Sequence, residues 1–329
     1  MSDPRVDTTV KDRLAPLAAG QTGGRRVYSC FNFRLESDLP LDELRPAATG
    51  DRRSIVVVQL GRVAERLANA SASVEGLQIA GPVASLTLPG IGRFLLIEGR
   101  EIVVDPHPDV SDRNLRLFLL GSVFGILCHQ RGLLPLHANA IVAGRGAVAF
   151  AGSSGAGKST LAAEFQRRGF RLLADDVCMV DFDEHGAPVA WPGIPRVKLW
   201  ADAANRFGLD CSELDQVIDG TAKYHVPTSP TVDAGPVPLR RLYLLAKADD
   251  DRPPGIVQLR GQEAMAAIMA NTYRGFWLKP MGLHTAHFRQ CAALLSSVRV
   301  YAATRQWGFD CFGSEVDWLE RHLFEEDPE

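Results

Sequence analysis

Apolar residues in this chain come in short runs, and the period within those runs changes along it. Residues 27–35 (VYSCFNFRL) and 54–60 (SIVVVQL) carry the aromatic and β-branched content of strands. Residues 86–88, 92–98 and 101–104 follow, with Pro89-Gly90 and Gly99-Arg100 as turns, which predicts a β-meander. The first 24 residues are polar and rich in Ala and Gly and predict a loose N-terminus. Residues 25–108 therefore read as a small, mainly β N-terminal domain that carries no catalytic constellation, a scaffold or a peptide-recognition module. Pro106-His107-Pro108 then punctuates the chain. Residues 111–131 predict a helix with Ser111 as N-cap, too densely apolar for a surface helix and suited to packing between two domains.

From there the pattern alternates. Residues 136–143, the turn Gly144-Arg145-Gly146 and the apolar run 146–151 predict a hairpin. Leu161 and Phe165 share one helical face, Arg167 and Arg168 fall in the last turn, and Gly169 is the stop. Residues 170–174 predict a strand ending on Asp175-Asp176; 177–180 continues as strand, Glu184-His185-Gly186 turns, and 188–191 returns. That second hairpin points away from an all-parallel sheet and towards a mixed one. Residues 199–207 are helical in pattern, and 221–238 predicts a long polar, proline-rich loop. Strands at 242–246 and 256–259, helices at 262–271 and 285–297, a strand at 298–302 and a helix after Ser314 complete an α/β (α+β) domain over 109–329.

Composition narrows the class. The 329 residues are 46% hydrophobic and 23% charged, ordinary for a soluble globular protein, and a net charge of -3 gives no reason to expect a nucleic-acid partner. Six scattered cysteines without a C-x-x-C pair argue against a zinc site or a disulfide framework and fit a reducing cytoplasm. Met1-Ser2-Asp3-Pro4-Arg5 lacks the apolar core of a signal peptide. The longest greasy segment, 117–127, is too short to span a bilayer, so no membrane partner is expected.

The chemistry centres on Gly152-Ser153-Ser154-Gly155-Ala156-Gly157-Lys158-Ser159, which fits the phosphate-binding pattern G-x-x-x-x-G-K-[ST] at every fixed position. Glycines let the backbone close around phosphates, so that its N–H groups form a nest for a triphosphate such as ATP. Lys158 reaches the outer phosphates, the Ser159 hydroxyl holds Mg2+, and the helix that starts here, through Thr160, turns its positive end to the anion. A strand enters this loop and a helix leaves it, as the pattern requires.

Asp175 and Asp176 are the leading candidates for the remaining work of phosphoryl transfer, one as magnesium ligand and one as base for an acceptor hydroxyl. Neighbours on a regular strand face opposite ways, so both can serve only if the strand ends or bulges there. His137 lies beside the strand feeding the loop, where it either tunes a carboxylate or is a hydrogen-bonded core histidine. His284 and His287, spaced i, i+3, are not read as a metal site. Arg196, Lys198, Lys223, Arg240, Arg241 and Arg274 include candidate phosphate clamps that spacing does not separate.

Taken together, His137, the loop 152–159 and the block Arg168-Gly169-Phe170-Arg171-Leu172-Leu173-Ala174-Asp175-Asp176 resemble the catalytic domain of the HPr kinase/phosphorylase family, with that family's spacing between the three. The resemblance covers about residues 133–190 well, extends weakly to about 303 and leaves the first hundred residues out. It implies Asp175 as the base for a serine hydroxyl, Asp176 and Ser159 at the metal, and His137 beside the base. Two positions depart. Thr160 stands where the family places an acid, and the later block 192–200 (PGIPRVKLW) holds basic residues where the family carries a glutamate metal ligand. Reverse phosphorolysis, and HPr itself as substrate, are therefore not expected.

The β-rich leader, the apolar segment 117–137 and the motif at 195–200 look more like the HPr-kinase-related enzymes of lasso peptide biosynthesis, which phosphorylate a serine at the C-terminal end of a precursor peptide. The expectation is a cytoplasmic ATP- and Mg2+-dependent serine kinase acting on a peptide or small protein, a lasso precursor first among them, and as family members often are, a homo-oligomer. A small-molecule kinase with the same site and a nucleotide-binding regulator without transfer activity remain as alternatives.

Overall fold

The computed structural model describes residues 24–228, 235–249, 251–308 and 310–324. The loose N-terminus expected over residues 1–24 lies, but for Gly24, outside the described residues. The chain forms two compact units, Phe33–Arg131 with the residues up to Ser29, and Gly132–Glu329 with Cys30–Asn32.

The first unit is built on a nine-stranded sheet. Its Phe33–Ser37, Ser54–Leu60 and Glu101–Pro106 strands run parallel, and Val83–Leu88, Gly92–Ile97 and Glu101–Pro106 form an antiparallel meander at the place where the turn residues predict one. Alternation explains the faces: Phe33 and Leu35, then Val56 and Val58, are fully buried while their neighbours are not. The helical segment is Asp112–Phe118, a π-turn over Leu119–Val123, and Phe124–Gln130. Ser111 caps it by accepting from the Asn114 N–H at 3.3 Å. Within this unit Arg116 Nε donates to Glu43 at 2.9 Å and Phe124 meets Phe33 edge-on at 6.0 Å. The compact first unit runs on through this helical segment to Arg131.

The second unit is organised around the long strand Val237–Lys247. Its first residues pair with Pro188–Trp191, and the rest runs parallel to Gly146–Ala151 on one side and to Arg299–Arg305 on the other. Ala138–Ala143 and Arg171–Ala174 extend the sheet antiparallel beyond Gly146–Ala151, Leu134–Leu136 and Cys178–Phe182 extend it past Pro188–Trp191, and Gly255–Leu259 flanks Arg299–Arg305. The sheet is mixed, as the two hairpins imply.

Every residue of Gly146–Ala151 is buried, and the strand period sorts them. Ala147, Ala149 and Ala151 face a core with Ala264 and Ile268 of helix Gly261–Ala270 and Cys291 and Leu294 of helix His284–Leu295. Val148 and Phe150 face the opposite core with Leu161 and Phe165 of helix Lys158–Arg167 and Val316 and Leu319 of helix Phe312–Phe324. Helix Lys158–Arg167 ends in a Schellman motif: Gly169 at φ 92° donates to Gln166 and Phe170 donates to Phe165, whose rings meet edge-on at 5.1 Å.

Two expectations are corrected here. The helix expected over 199–207 spans only Ala201–Arg206, because Val197 and Leu199 are buried by period-two alternation on the strand Arg196–Trp200. The loop expected over 221–238 begins as the strand Lys223–Pro227, paired with Arg196–Trp200 in a three-stranded sheet; residues 229–234 of that span lie outside the described ones. No helix among the described residues is long and apolar enough to cross a membrane.

Candidate active site

The loop follows the C-terminal end of Gly146–Ala151 and closes against the neighbouring strand. At Gly152, φ is 146° and a Cβ would stand 2.6 Å from the Leu245 carbonyl oxygen, so only glycine lets the chain pass. Gly157 caps helix Lys158–Arg167 in the left-handed conformation, at φ 72° and ψ 16°. The first amides of the helix have no acceptor within it and point out of its start, which favours an anion. Lys158 is buried and donates from Nζ to the carbonyls of Gly152 at 2.8 Å and Ser153 at 3.0 Å, so its ammonium is held inside the loop. Burial lowers its pKa, and the nearby charges of Asp176 and Asp175 oppose that.

The strand Arg171–Ala174 ends one residue before the acid pair, which removes the objection that neighbours face apart. Val177 N–H donates to the Asp175 carbonyl at 2.9 Å across Asp176, whose φ is 70°. This is the rare γ-turn of positive φ, a strained arrangement that costs about 1–3 kcal/mol. Its effect is to split the pair. Asp175 Oδ1 accepts the Ser159 hydroxyl at 3.0 Å and Oδ2 accepts the Lys198 N–H at 2.8 Å. Asp176 Oδ2 accepts from the Lys198 ammonium at 2.6 Å, and its Oδ1 lies 3.6 Å from His137 Nε2, a charge contact too long for a hydrogen bond.

Electrostatics separates the two acids further. Burial, followed by the charge of Asp176, raises the Asp175 pKa above its ordinary value. Burial would raise Asp176 as well, but the charge and hydrogen bond of Lys198, with His137 and Lys223, outweigh it and hold that carboxyl well below the usual range. Burial and the charge of Lys158 lower the His137 pKa. Asp176 thus has the Lys198 ammonium against it, whereas Asp175 is met by a hydroxyl and a backbone N–H.

The structure therefore brings His137, Lys158, Ser159, Asp175 and Asp176 into one site, but in a different pairing from the expected one. Ser159 meets Asp175, and His137 lies beside Asp176. Of the six candidate clamps, Lys198 contacts both acids, and the charges of Lys223 and Arg274 reach the site. Arg241 instead donates to the His322 carbonyl, away from the loop. His287 is a core residue bonded to Thr272 at 2.7 Å.

Sequence reasoning missed Tyr273, whose ring meets His137 edge-on at 5.9 Å and whose hydroxyl is pushed up to about 12 by burial and by Asp176. It also missed Arg305, which approaches Gly157. Neither carries a motif: Tyr273 lies on the turn after helix Gly261–Ala270 and Arg305 at the end of the strand Arg299–Arg305, each more than a hundred residues from the residue it approaches.

Mg2+ takes oxygen ligands at 2.0–2.1 Å in an octahedron, which sets adjacent ligand atoms about 3 Å apart. Ser159 Oγ and Asp175 Oδ1, 3.0 Å apart, fit that requirement. Asp176 fits it less well, with an ammonium at 2.6 Å. Among the described residues no group of three or more His, Cys, Asp or Glu side chains forms a metal cage, so the ion would need its remaining ligands from phosphates and water, as Mg2+ commonly does.

Among solved structures, the chain is similar to the Hpr(Ser) kinase/phosphatase from Coxiella burnetii. The identity is 16%, the match covers 57% of this chain and 96% of that one, and the TM-score is 0.28. No protein-family model and no curated protein matches the chain. A likeness of that size carries no weight against the contacts of the site itself.

Proposed function

We propose that this protein is a kinase that transfers the γ-phosphate of ATP to a hydroxyl group, with a serine of a peptide or small protein as acceptor and the C-terminal serine of a lasso peptide precursor as the first candidate. The observation that carries this reading is the 3.0 Å hydrogen bond from Ser159 to Asp175, which joins the phosphate loop to the acid pair. Phosphoryl transfer needs phosphates held, charge neutralised and a nucleophile aimed. The loop amides and Lys158 hold the phosphates. Ser159 and Asp175 would hold Mg2+, which when bound neutralises phosphate charge.

Asp176, held anionic by Lys198 and flanked by His137, is left to orient the acceptor hydroxyl and take its proton. Its depressed pKa makes it a weak base, which suits a reaction whose main demand is position. This reverses the roles that the family resemblance implies for the two acids. A cytoplasmic location and a homo-oligomeric state belong to the same proposal.

One observation favours a second reading. The Lys198 ammonium sits on Asp176 in the block where the family carries a glutamate, which suits a nucleotide-binding regulator without transfer. Measuring ADP release with and without serine peptides separates the two. Peptide-dependent ADP and a phosphorylated peptide are expected; stoichiometric ATP binding with no turnover on any acceptor would favour the regulator.

A further inference from the structure

Three parallel strands, Gly146–Ala151, Val237–Lys247 and Arg299–Arg305, end on one edge of the sheet, the edge at which open α/β sheets bind ligands. Arg305 is the last residue of the third strand and is only 5% exposed. Its Nε and Nη2 both donate to Glu315 Oε2, at 3.2 and 2.8 Å, and its guanidinium carbon lies 5.8 Å from the centre of the Phe312 ring. That leaves Nη1. It is buried, has no hydrogen-bond partner among the described residues, and lies 3.5 Å from the point where a Cβ on Gly157 would stand.

An ion pair serving only to fix the last helix to the sheet would use the guanidinium fork on both carboxylate oxygens. Here both donors fall on one oxygen, Glu315 Oε1 is left without a partner, and Nη1 is turned to the loop. Buried donors are nearly always satisfied, and a guanidinium cannot shed its charge. The Gly152 and Ser153 carbonyls of the loop already serve Lys158. We propose that Arg305 is a phosphate-binding residue of this loop, anchored by Glu315 and donating from Nη1 to a polyphosphate oxygen. The inference rests on the loop being a nucleotide site and adds to it a second buried cation, opposite Lys158 in origin and fixed by the far end of the chain.

Titration calorimetry on the full chain with ATP and with inorganic tripolyphosphate tests it, using wild type, Arg305→Gln, Arg305→Lys and, as control, Lys158→Ala. Arg305→Gln is expected to bind both probes at least about tenfold more weakly. Arg305→Lys, which keeps the charge and loses the fork, is expected to fall between it and wild type. A folded Arg305→Gln with wild-type affinity, or one weakened for ATP but not for tripolyphosphate, overturns the proposal, since a distorted adenosine pocket would spare the adenine-free probe. If Arg305→Gln does not fold, Arg305→Lys decides, and wild-type affinity in that variant overturns the proposal. Failure of the wild type to bind either probe would instead remove the nucleotide reading, and this inference with it.

Discussion

The Ser159 hydroxyl donates a hydrogen bond to Asp175 Oδ1 at 3.0 Å, so the last residue of the phosphate loop is joined directly to the first acid after the next strand. If these two oxygens hold the metal, Asp175→Asn should raise the magnesium concentration for half-maximal turnover by at least about tenfold. ATP turnover measured across a magnesium titration, with chelator as the zero point, checks this. An unchanged requirement would move the metal elsewhere.

Asp176 should behave differently. Asp176→Asn removes the proton acceptor but leaves the loop intact, so nucleotide affinity should stay within a few fold while phosphotransfer falls by roughly 10²–10⁴. Equilibrium nucleotide binding and single-turnover transfer, measured on the same preparation, separate the two effects. If Asp175→Asn and Asp176→Asn exchanged phenotypes, the order implied by the family resemblance would hold.

Glycine at position 152 is required by the backbone, not by the ligand. In Gly152→Ala the new Cβ would press on the Leu245 carbonyl at 2.6 Å, so the loop must shift. Affinity for a fluorescent ATP analogue should drop at least about tenfold, equivalent to about 1.4 kcal/mol. The thermal midpoint should move much less, because the strain falls on a loop rather than on the core.

Asp51, in the first unit, offers a test of pH dependence. The hydrogen bonds from Arg53, aided by Ser29, outweigh burial and lower its pKa from 3.8 to about 2. A depressed carboxylate contributes stability that is present above 3.8 and is lost as pH falls towards 2. Asp51→Asn should therefore lower the thermal midpoint clearly at pH 6 and by less at pH 3. An equal difference at both values would mean that the Asp51 charge contributes nothing.

Much of the second unit was legible because its signals are local. The loop motif, the apolar run before it, the Leu161 and Phe165 face and the Gly169 stop all lie within about 25 residues. So did the condition on Asp175 and Asp176: the chain had to leave the strand there, and it does so through a γ-turn. What stayed hidden depends on contacts distant in sequence. Leu199 reads as helix until Lys223–Pro227 pairs beside it, and the backbone of Lys198 reaches Asp175 only because that strand places it there. Arg305 and Tyr273 carry no motif at all.

The central claim is that the loop serves transfer to a hydroxyl. Its most direct test is the mass of a serine-ended acceptor peptide after incubation with this protein, ATP and magnesium. The peptide should gain one phosphoryl group on its serine, with one ADP formed per group transferred and no transfer by Asp176→Asn. Saturating ATP binding without a phosphorylated product, across peptide and small-molecule acceptors alike, would contradict it.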